Sequence, residues 1–150
     1  MPGRMAPKAL MRALGVLGLV PFFAAALGVM FLDELLHALS QRAFLVYSLA
    51  ILCFLAGTLW GEVLGSSGSS GSTAASVLVS NGVVLFAVSA TLTAQPLVAA
   101  LLLMLGHIAQ LWYEANLTWR ARWYTRMRGW LSGGAVLAHL MFVVGLIYRA

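Results

Sequence analysis

The sequence predicts an all-α membrane protein, a compact bundle of five transmembrane helices in one integral-membrane domain over residues 1–150. The chain is 62% hydrophobic and only 9% charged, whereas soluble domains carry about 25% charged residues. The apolar residues fall in five long runs, and roughly 20 helical residues cross a bilayer core of about 30 Å. The apolar surface of such a chain is therefore expected to face lipid.

The five predicted spans are residues 13–32, 43–64, 74–92, 97–113 and 130–148. The first follows Arg4, Lys8 and Arg12, a pattern also found in signal peptides. Its length and the four later spans favour a retained helix.

The connections between the spans are short. FLDELLHALSQR, between the first two spans, predicts a short interfacial turn, and GSSGSSGST at 65–73 predicts a flexible linker. Pro96 suits the first turn of the fourth span, where its missing N–H is not needed. The fourth span is short, but Trp112 and Tyr113 suit the membrane interface where it ends.

The positions of the basic residues predict the orientation of the chain. Seven of the nine Lys and Arg residues fall on one side of the predicted spans: Arg4, Lys8, Arg12, Arg120, Arg122, Arg126 and Arg128. Because cytoplasmic segments are enriched in Lys and Arg, we expect the N-terminus in the cytoplasm and the C-terminus in the periplasm.

The connection between the fourth and fifth spans, residues 115–129, is amphipathic. Aromatic residues and a methionine recur there at helical spacing, and arginines fill the positions between them. This pattern is typical of an interfacial segment with rings at the apolar boundary and guanidinium groups on phosphates. The candidates for binding anionic lipid headgroups are Arg120, Arg122, Arg126 and Arg128. We favour a simple anchor that fixes topology, and specific binding of a headgroup or a partner is the alternative.

Polar residues inside the spans indicate candidate functional positions, because placing them in lipid is costly. His107, Gln110 and Glu114 are spaced i, i+3 and i+7, so they share one face of the fourth span. Asn81 on the third span lies at a similar depth to His107, and His139 lies near the middle of the fifth span. These five residues are candidates for lining a polar pocket open to the cytoplasm. The interpretation that we favour is that they form structural hydrogen bonds between helices.

Other kinds of site have less support in the sequence. A haem between His107 and His139 is an alternative, but the two residues lie at different depths when counted from the ends of their spans. The three histidines lie on separate segments without a carboxylate or thiol at ligand spacing, so no metal site is predicted. The sequence carries no phosphate-binding glycine loop and no nucleophile elbow. We expect a non-enzymatic protein without a cofactor.

Small residues recur every four positions in the second span, at Cys53, Gly57 and Gly61. Such a repeat forms one helix face and lets a neighbouring helix approach closely. Trp60 lies beside this face. We expect Cys53, Gly57, Trp60 and Gly61 to form a helix-packing motif, in which a leucine at position 57 disrupts folding or assembly.

Three stretches of the chain form a recognisable pattern: LGLVPFF at 17–23, YSLAILCFLAGTLWG at 47–61 and RWYTRMRGWLS at 122–132. They resemble a family of small bacterial inner-membrane proteins of unknown function, related to the eukaryotic transmembrane protein 69. The resemblance implies a five-helix inner-membrane protein and brings no reaction or substrate. Cys53 and Ala56 stand where that family usually has serine and glycine. The matching positions, without an assigned role, are Pro21, Tyr47, Gly57, Trp60, Gly61, Trp123 and Tyr124.

These observations predict a multi-pass protein of the bacterial inner membrane that acts as an accessory or interaction protein of a membrane complex. The alternative is a small-ligand binder or transporter that uses the polar pocket of Asn81, His107, Gln110 and Glu114. The net charge of +5 does not indicate nucleic-acid binding, since the basic residues lie at the chain ends and in one loop. The expected partners are the bilayer, its anionic headgroups, and a membrane-protein complex or a second copy of the chain.

Overall fold

Five helices make up the described part of the chain. The structure is a computed structural model that describes residues 5–65, 70–93, 95–117 and 120–150. The helices are α1 (Met5–Phe31), α2 (Glu34–Gly65), α3 (Ser70–Thr91), α4 (Pro96–Ala115) and α5 (Arg122–Tyr148). All five are long and apolar enough to cross a membrane, by length and composition. The predicted all-helical fold with five candidate spans is confirmed, and it fits a multi-pass membrane protein.

Four helices begin at least four residues earlier than the apolar runs indicate: α1, α2, α3 and α5. α2 begins at Glu34, so the predicted interfacial turn forms its first turns. α5 begins at Arg122, and residues 122–129 are its first two turns rather than a separate interfacial segment. The predicted spans were delimited by apolar residues, so they left out polar turns at the helix ends. Arginine is a good helix former, and the arginine-rich stretch before the fifth apolar run therefore continues the helix. Residues 66–69 of the predicted linker lie outside the described residues.

The helices form a ring in chain order, in which each helix packs beside the next and α5 returns to α1. α2 also packs against α4 across the ring, whereas the backbones of α2 and α5 lie farther apart in the described residues and only side chains meet between them. An inner space therefore remains between α1, α2, α4 and α5. We call the end that carries the first turns of α1 and α5 the basic end. The opposite end carries the connection between α1 and α2.

Aromatic side chains fill the inner space toward the opposite end. Phe44 of α2 stacks on Phe142 of α5, with ring centroids 4.1 Å apart. The ring of Phe22 of α1 meets Phe44 in an edge-on contact at 5.5 Å. All three rings are buried. The half of the inner space nearer the basic end is left for polar side chains and a cavity.

Glycines on α4 and α5 allow close contacts between helices. A Cβ on Gly106 of α4 would lie 2.7 Å from Leu52 on α2, and a Cβ on Gly134 of α5 would lie 2.7 Å from Leu19 on α1. Carbon atoms in contact are normally about 3.5–4.0 Å apart. A larger residue at either position would therefore push the facing leucine aside.

Gly57, Trp60 and Gly61 of the predicted packing motif on α2 face away from the bundle, whereas Cys53 is half-buried. Nothing lies within 4 Å of a Cβ added at Gly57 or Gly61, and Trp60 is exposed. The buried face of α2 is instead formed by Phe44, Ser48, Leu52, Ala56 and Leu59. Contrary to the expectation, Gly57 and Gly61 do not bring another helix of the described chain close to α2. Small residues occur on both faces, with Ser48 and Ala56 eight positions apart on the buried face and Gly57 and Gly61 four positions apart on the outer face, so their presence alone could not identify the packing face.

At the opposite end, side chains satisfy the last carbonyl groups of α1. His37 donates a hydrogen bond through Nδ1 to the carbonyl of Val29 at 2.8 Å. Arg149, next to the end of α5, donates to the carbonyl of Leu32. The last carbonyl groups of a helix have no partner within it, so these contacts cap α1 and join it to α2 and α5.

Candidate functional site

Two histidines and a serine form a hydrogen-bonded chain inside the bundle. Oγ of Ser48 on α2 lies 3.2 Å from Nε2 of His107 on α4 and 2.9 Å from Nε2 of His139 on α5. His139 also donates through Nδ1 to the carbonyl of Ala135 at 2.8 Å. In the neutral tautomer that this bond selects, Nε2 of His139 accepts from the Ser48 hydroxyl, and Ser48 accepts from His107. All three side chains are buried, so three helices are joined through polar groups that satisfy one another.

Aromatic rings hold the two imidazoles in place. Phe44 meets His139 edge-on at 4.8 Å between centroids, and Phe22 lies 5.6 Å from His139 and 6.0 Å from His107. The imidazole centroids of His107 and His139 are 5.4 Å apart. Each ring is therefore confined by packing as well as by its hydrogen bond to Ser48.

This arrangement does not fit a haem between the two histidines. The imidazole rings lie against each other, and Ser48 engages both of the Nε2 atoms that could ligate iron. A porphyrin plane has no space between them. Among the described residues, no group of three or more His, Cys, Asp or Glu side chains could hold a metal ion.

A buried ion pair lies closer to the basic end. Arg128 of α5 donates from Nε to Oε2 of Glu114 on α4 at 2.9 Å, and from Nη2 to Oε1 at 3.0 Å. Gln110 donates to Oε1 of Glu114 at 2.8 Å and to the carbonyl of Leu55 on α2 at 3.3 Å. The exposed fractions of Glu114 and Arg128 are only 2% and 4%. Two-point pairing with an added amide donor offsets part of the cost of removing both charges from water.

Arg120 extends this ion pair to α2. Its Nη1 donates to Oε2 of Glu114 at 2.7 Å, and its Nη2 pairs with Oε1 of Glu62 at 2.8 Å. Its guanidinium also lies over the ring of Tyr124 at 5.2 Å. Burial works against the charged guanidinium, but the carboxylates of Glu62 and Glu114 outweigh it and raise the pKa of Arg120. Two glutamates and two arginines thus form a neutral cluster that joins α2, α4, α5 and the α4–α5 connection.

A cavity of about 490 Å³ lies in the inner space between α1, α2 and α5. Its size falls in the range of about 300–1,000 Å³ that is usual for small-molecule sites. Leu14 and Phe54 line the cavity and are also exposed on the outer surface, so it opens between α1 and α2. Most of the lining is apolar, and the polar side chains on its wall are Tyr47, Thr58, His107, Tyr124, Arg128 and Ser132.

His107 connects the hydrogen-bonded chain to the cavity. Its imidazole forms part of the cavity wall, whereas Ser48 is fully buried behind it and is not among the described residues of the wall. A catalytic serine must reach the reacting atom of its substrate. The arrangement therefore presents a fixed hydrogen-bonding ring to the cavity and keeps the Ser48 hydroxyl away from it.

Four of the five predicted pocket residues lie together in the structure. His107, Gln110, Glu114 and His139 are all buried, although of these four only His107 lines the cavity. Asn81 does not belong to the site. It lies on the exposed outer face of α3 and donates to the carbonyl of Val77 at 2.8 Å. α3 faces the bundle with Ser76, Ser80, Ala87 and Ala90 instead.

Two arginines also lie elsewhere than the sequence indicated. Arg120 and Arg128 were candidates for headgroup binding, but both pair with Glu114 inside the bundle. Arg122 and Arg126 are exposed. Arg128 lies four residues before Ser132, and this spacing places both on one face of α5. The shared face was the signal in the sequence that Arg128 points into the bundle. Ser48 carried no comparable signal, because serine is common on helix-packing faces in membranes.

The fold and the site together define a class: an all-helical protein with five candidate membrane spans, a buried polar network and a lateral cavity. The chain belongs to the family described as a protein of unknown function, DUF3429, whose family model matches residues 7–144. This match confirms the predicted membership of a family of unknown function. Neither a curated protein nor a solved structure matches the chain.

Proposed function

We propose that the protein binds a small amphipathic molecule in the cavity between α1, α2 and α5 and performs no covalent chemistry on it. The observation that carries this proposal is the position of His107. Its ring belongs to a buried hydrogen-bonded chain and also forms part of the wall of an otherwise mainly apolar cavity. Apolar walls with a few fixed polar groups are the usual composition of a small-ligand site.

The shape of the cavity supports a ligand that enters from the membrane. The opening lies between α1 and α2, at the exposed side chains of Leu14 and Phe54. An apolar chain or ring that reaches the cavity through this opening never has to leave the bilayer. Its polar end would meet His107, Ser132 or Arg128, whose positions are fixed by the buried network.

Photolabelling with a fatty alcohol that carries a diazirine in its chain tests this proposal. We expect the labelled peptides to come from the cavity-lining stretches of α1, α2 and α5. Gly18 lines the cavity, and a Cβ there meets only the Tyr47 hydroxyl oxygen, at 3.8 Å. Gly18→Leu should therefore fill the cavity and reduce the labelling.

The matched control is Gly82→Leu, because Gly82 is exposed on α3 with nothing within 4 Å of an added Cβ. It should leave the labelling unchanged. Labelling spread evenly over the outer faces of all five helices, with no effect of Gly18→Leu, would contradict ligand binding in the cavity.

A role as an interaction partner in the membrane is the second candidate, and the outer face of α2 favours it. Gly57 and Gly61 lie one turn apart with open space beside both. Gly-x-x-x-Gly spacing allows helices of separate chains to approach closely in lipid. If Gly57→Leu abolishes a complex seen in mild detergent and leaves the monomer folded, this role gains support; an unchanged assembly state argues against it.

We also propose that the protein lies in the bacterial inner membrane with its N-terminus in the cytoplasm. Lys8, Arg12, Arg122 and Arg126 are exposed at the basic end, and such residues are enriched on the cytoplasmic side. The resemblance of the three sequence stretches to relatives of transmembrane protein 69 supports the same membrane. Labelling of single cysteines, introduced at positions 8 and 150 of a Cys53→Ser variant, with a membrane-impermeant maleimide tests the orientation. Only position 150 should react in intact cells.

A further inference from the structure

A second concave surface lies on the outer side of the contact between α1 and α5, at the basic end. It has a volume of about 540 Å³ and is lined by Arg12 and Val16 of α1 and by Arg122, Trp123, Arg126, Met127, Trp130 and Leu131 of α5. We call it the α1–α5 groove. It is separate from the cavity of the proposed function, although Met127 and Leu131 border both.

The α1–α5 groove carries positive charge that no carboxylate of the chain neutralises. Arg12, Arg122 and Arg126 are exposed, and the exposed Lys8 lies nearby with its Nζ 5.4 Å from the ring centre of Trp123. The chain has only four acidic residues. Glu62 and Glu114 pair with the buried arginines, while Asp33 and Glu34 lie at the opposite end.

The α1–α5 groove also changes from charged to apolar along α5. Trp130 lies eight residues after Arg122, which is about 12 Å along the helix. Its side chain is 78% exposed, and Val16 and Leu131 line the same deeper part of the groove. The guanidinium groups toward the basic end match the headgroup of a phospholipid, and the indole and aliphatic side chains farther along α5 match its acyl chains.

We propose that the α1–α5 groove is a binding site for one anionic phospholipid. Its phosphate lies between the guanidinium groups of Arg12, Arg122 and Arg126, and its acyl chains lie along Trp130 and Val16. A guanidinium group forms two-point, charge-assisted hydrogen bonds with phosphate. A zwitterionic phospholipid carries a cationic group that the same arginines repel, which provides the selectivity.

Native mass spectrometry of the full chain in detergent tests this site, with dioleoyl phosphatidylglycerol as the anionic probe and dioleoyl phosphatidylcholine as the neutral probe. We expect one phosphatidylglycerol molecule to bind at least about tenfold more tightly than phosphatidylcholine. Arg12→Gln/Arg126→Gln should remove this preference. The matched control is Arg42→Gln, which removes an exposed arginine at the opposite end and should leave the preference intact.

Equal affinity for the two lipids, or an equal loss in Arg42→Gln, would overturn the proposal. All variants are compared by thermal unfolding, since each replaced side chain is exposed and the fold should be unchanged. Gly18→Leu separates this site from the cavity. The Gly18→Leu variant should still bind phosphatidylglycerol. If it does not, the lipid binds in the cavity and the proposal is overturned.

Discussion

Glu114 and Arg128 form a two-point ion pair between α4 and α5, with both side chains almost completely removed from solvent. Together with Gln110 and Arg120, this pair forms a polar cluster that reaches the cavity wall through Arg128 and joins α2, α4 and α5. Because a buried pair repays its desolvation only when its partners are present, the cluster is most sensitive to the loss of Glu114, which pairs with both arginines.

Glu114→Gln should destabilise the protein strongly. It leaves Arg128 without its carboxylate partner inside the bundle, and breaking a buried pair costs about 3–5 kcal/mol. The free energy of unfolding in mixed micelles, followed by circular dichroism, measures the effect. Asp33→Asn is the control, because Asp33 is an exposed carboxylate at the opposite end and its loss should change little. A Glu114→Gln variant as stable as the control would show that the pair does not hold α4 and α5.

Glu62→Gln should have a much smaller effect than Glu114→Gln. The Glu62 side chain is 33% exposed, and Arg120 retains Glu114 as a partner. Partly exposed ion pairs contribute about 0–1 kcal/mol. The same unfolding measurement checks this order, and equal losses in the two variants would contradict the description of Glu114 as the centre of the cluster.

Ser48→Ala should destabilise the protein by about 1–3 kcal/mol, because it leaves two buried imidazole nitrogens without their hydrogen-bond partner. Ser89→Ala is a suitable control, since Ser89 is exposed on α3. Ser48→Ala should also loosen the ring of His107, so photolabelling of the cavity should become less selective. If both serine variants unfold alike, the hydrogen-bonded chain contributes nothing to stability.

Gly106→Leu and Gly57→Leu should differ, although both replace a helical glycine in a candidate span. Gly106 faces Leu52 across the contact of α2 with α4, so the added side chain overpacks this contact and costs about 1–3 kcal/mol. Gly57 faces open space, so the monomer should keep its stability. Thermal unfolding of the monomeric fraction distinguishes the two variants. A Gly57→Leu monomer less stable than the Gly106→Leu monomer would contradict the outward position of Gly57.

The five helices and the shared face of His107, Gln110 and Glu114 could be predicted from the sequence, because long apolar runs and helical spacing are local properties. The rotation of each helix about its own axis could not. In lipid both the inner and the outer face of a helix are apolar, so Asn81 and Gly57 gave no sign that they point outward. Arg128 was misplaced for a related reason: it stands beside exposed arginines in sequence, while its partner Glu114 lies on another helix.

Ligand binding in the cavity is best tested by a nitrogen-15 NMR titration of the three imidazoles with dodecanol in micelles. His107 forms part of the cavity wall, His139 is linked to it through Ser48, and His37 lies at the opposite end. Ligand binding in the cavity predicts a large, saturable shift at His107, a smaller one at His139 and none at His37, with all shifts lost in Gly18→Leu. Resonances of His107 that stay unchanged, or that move together with His37, would contradict a ligand site in this cavity.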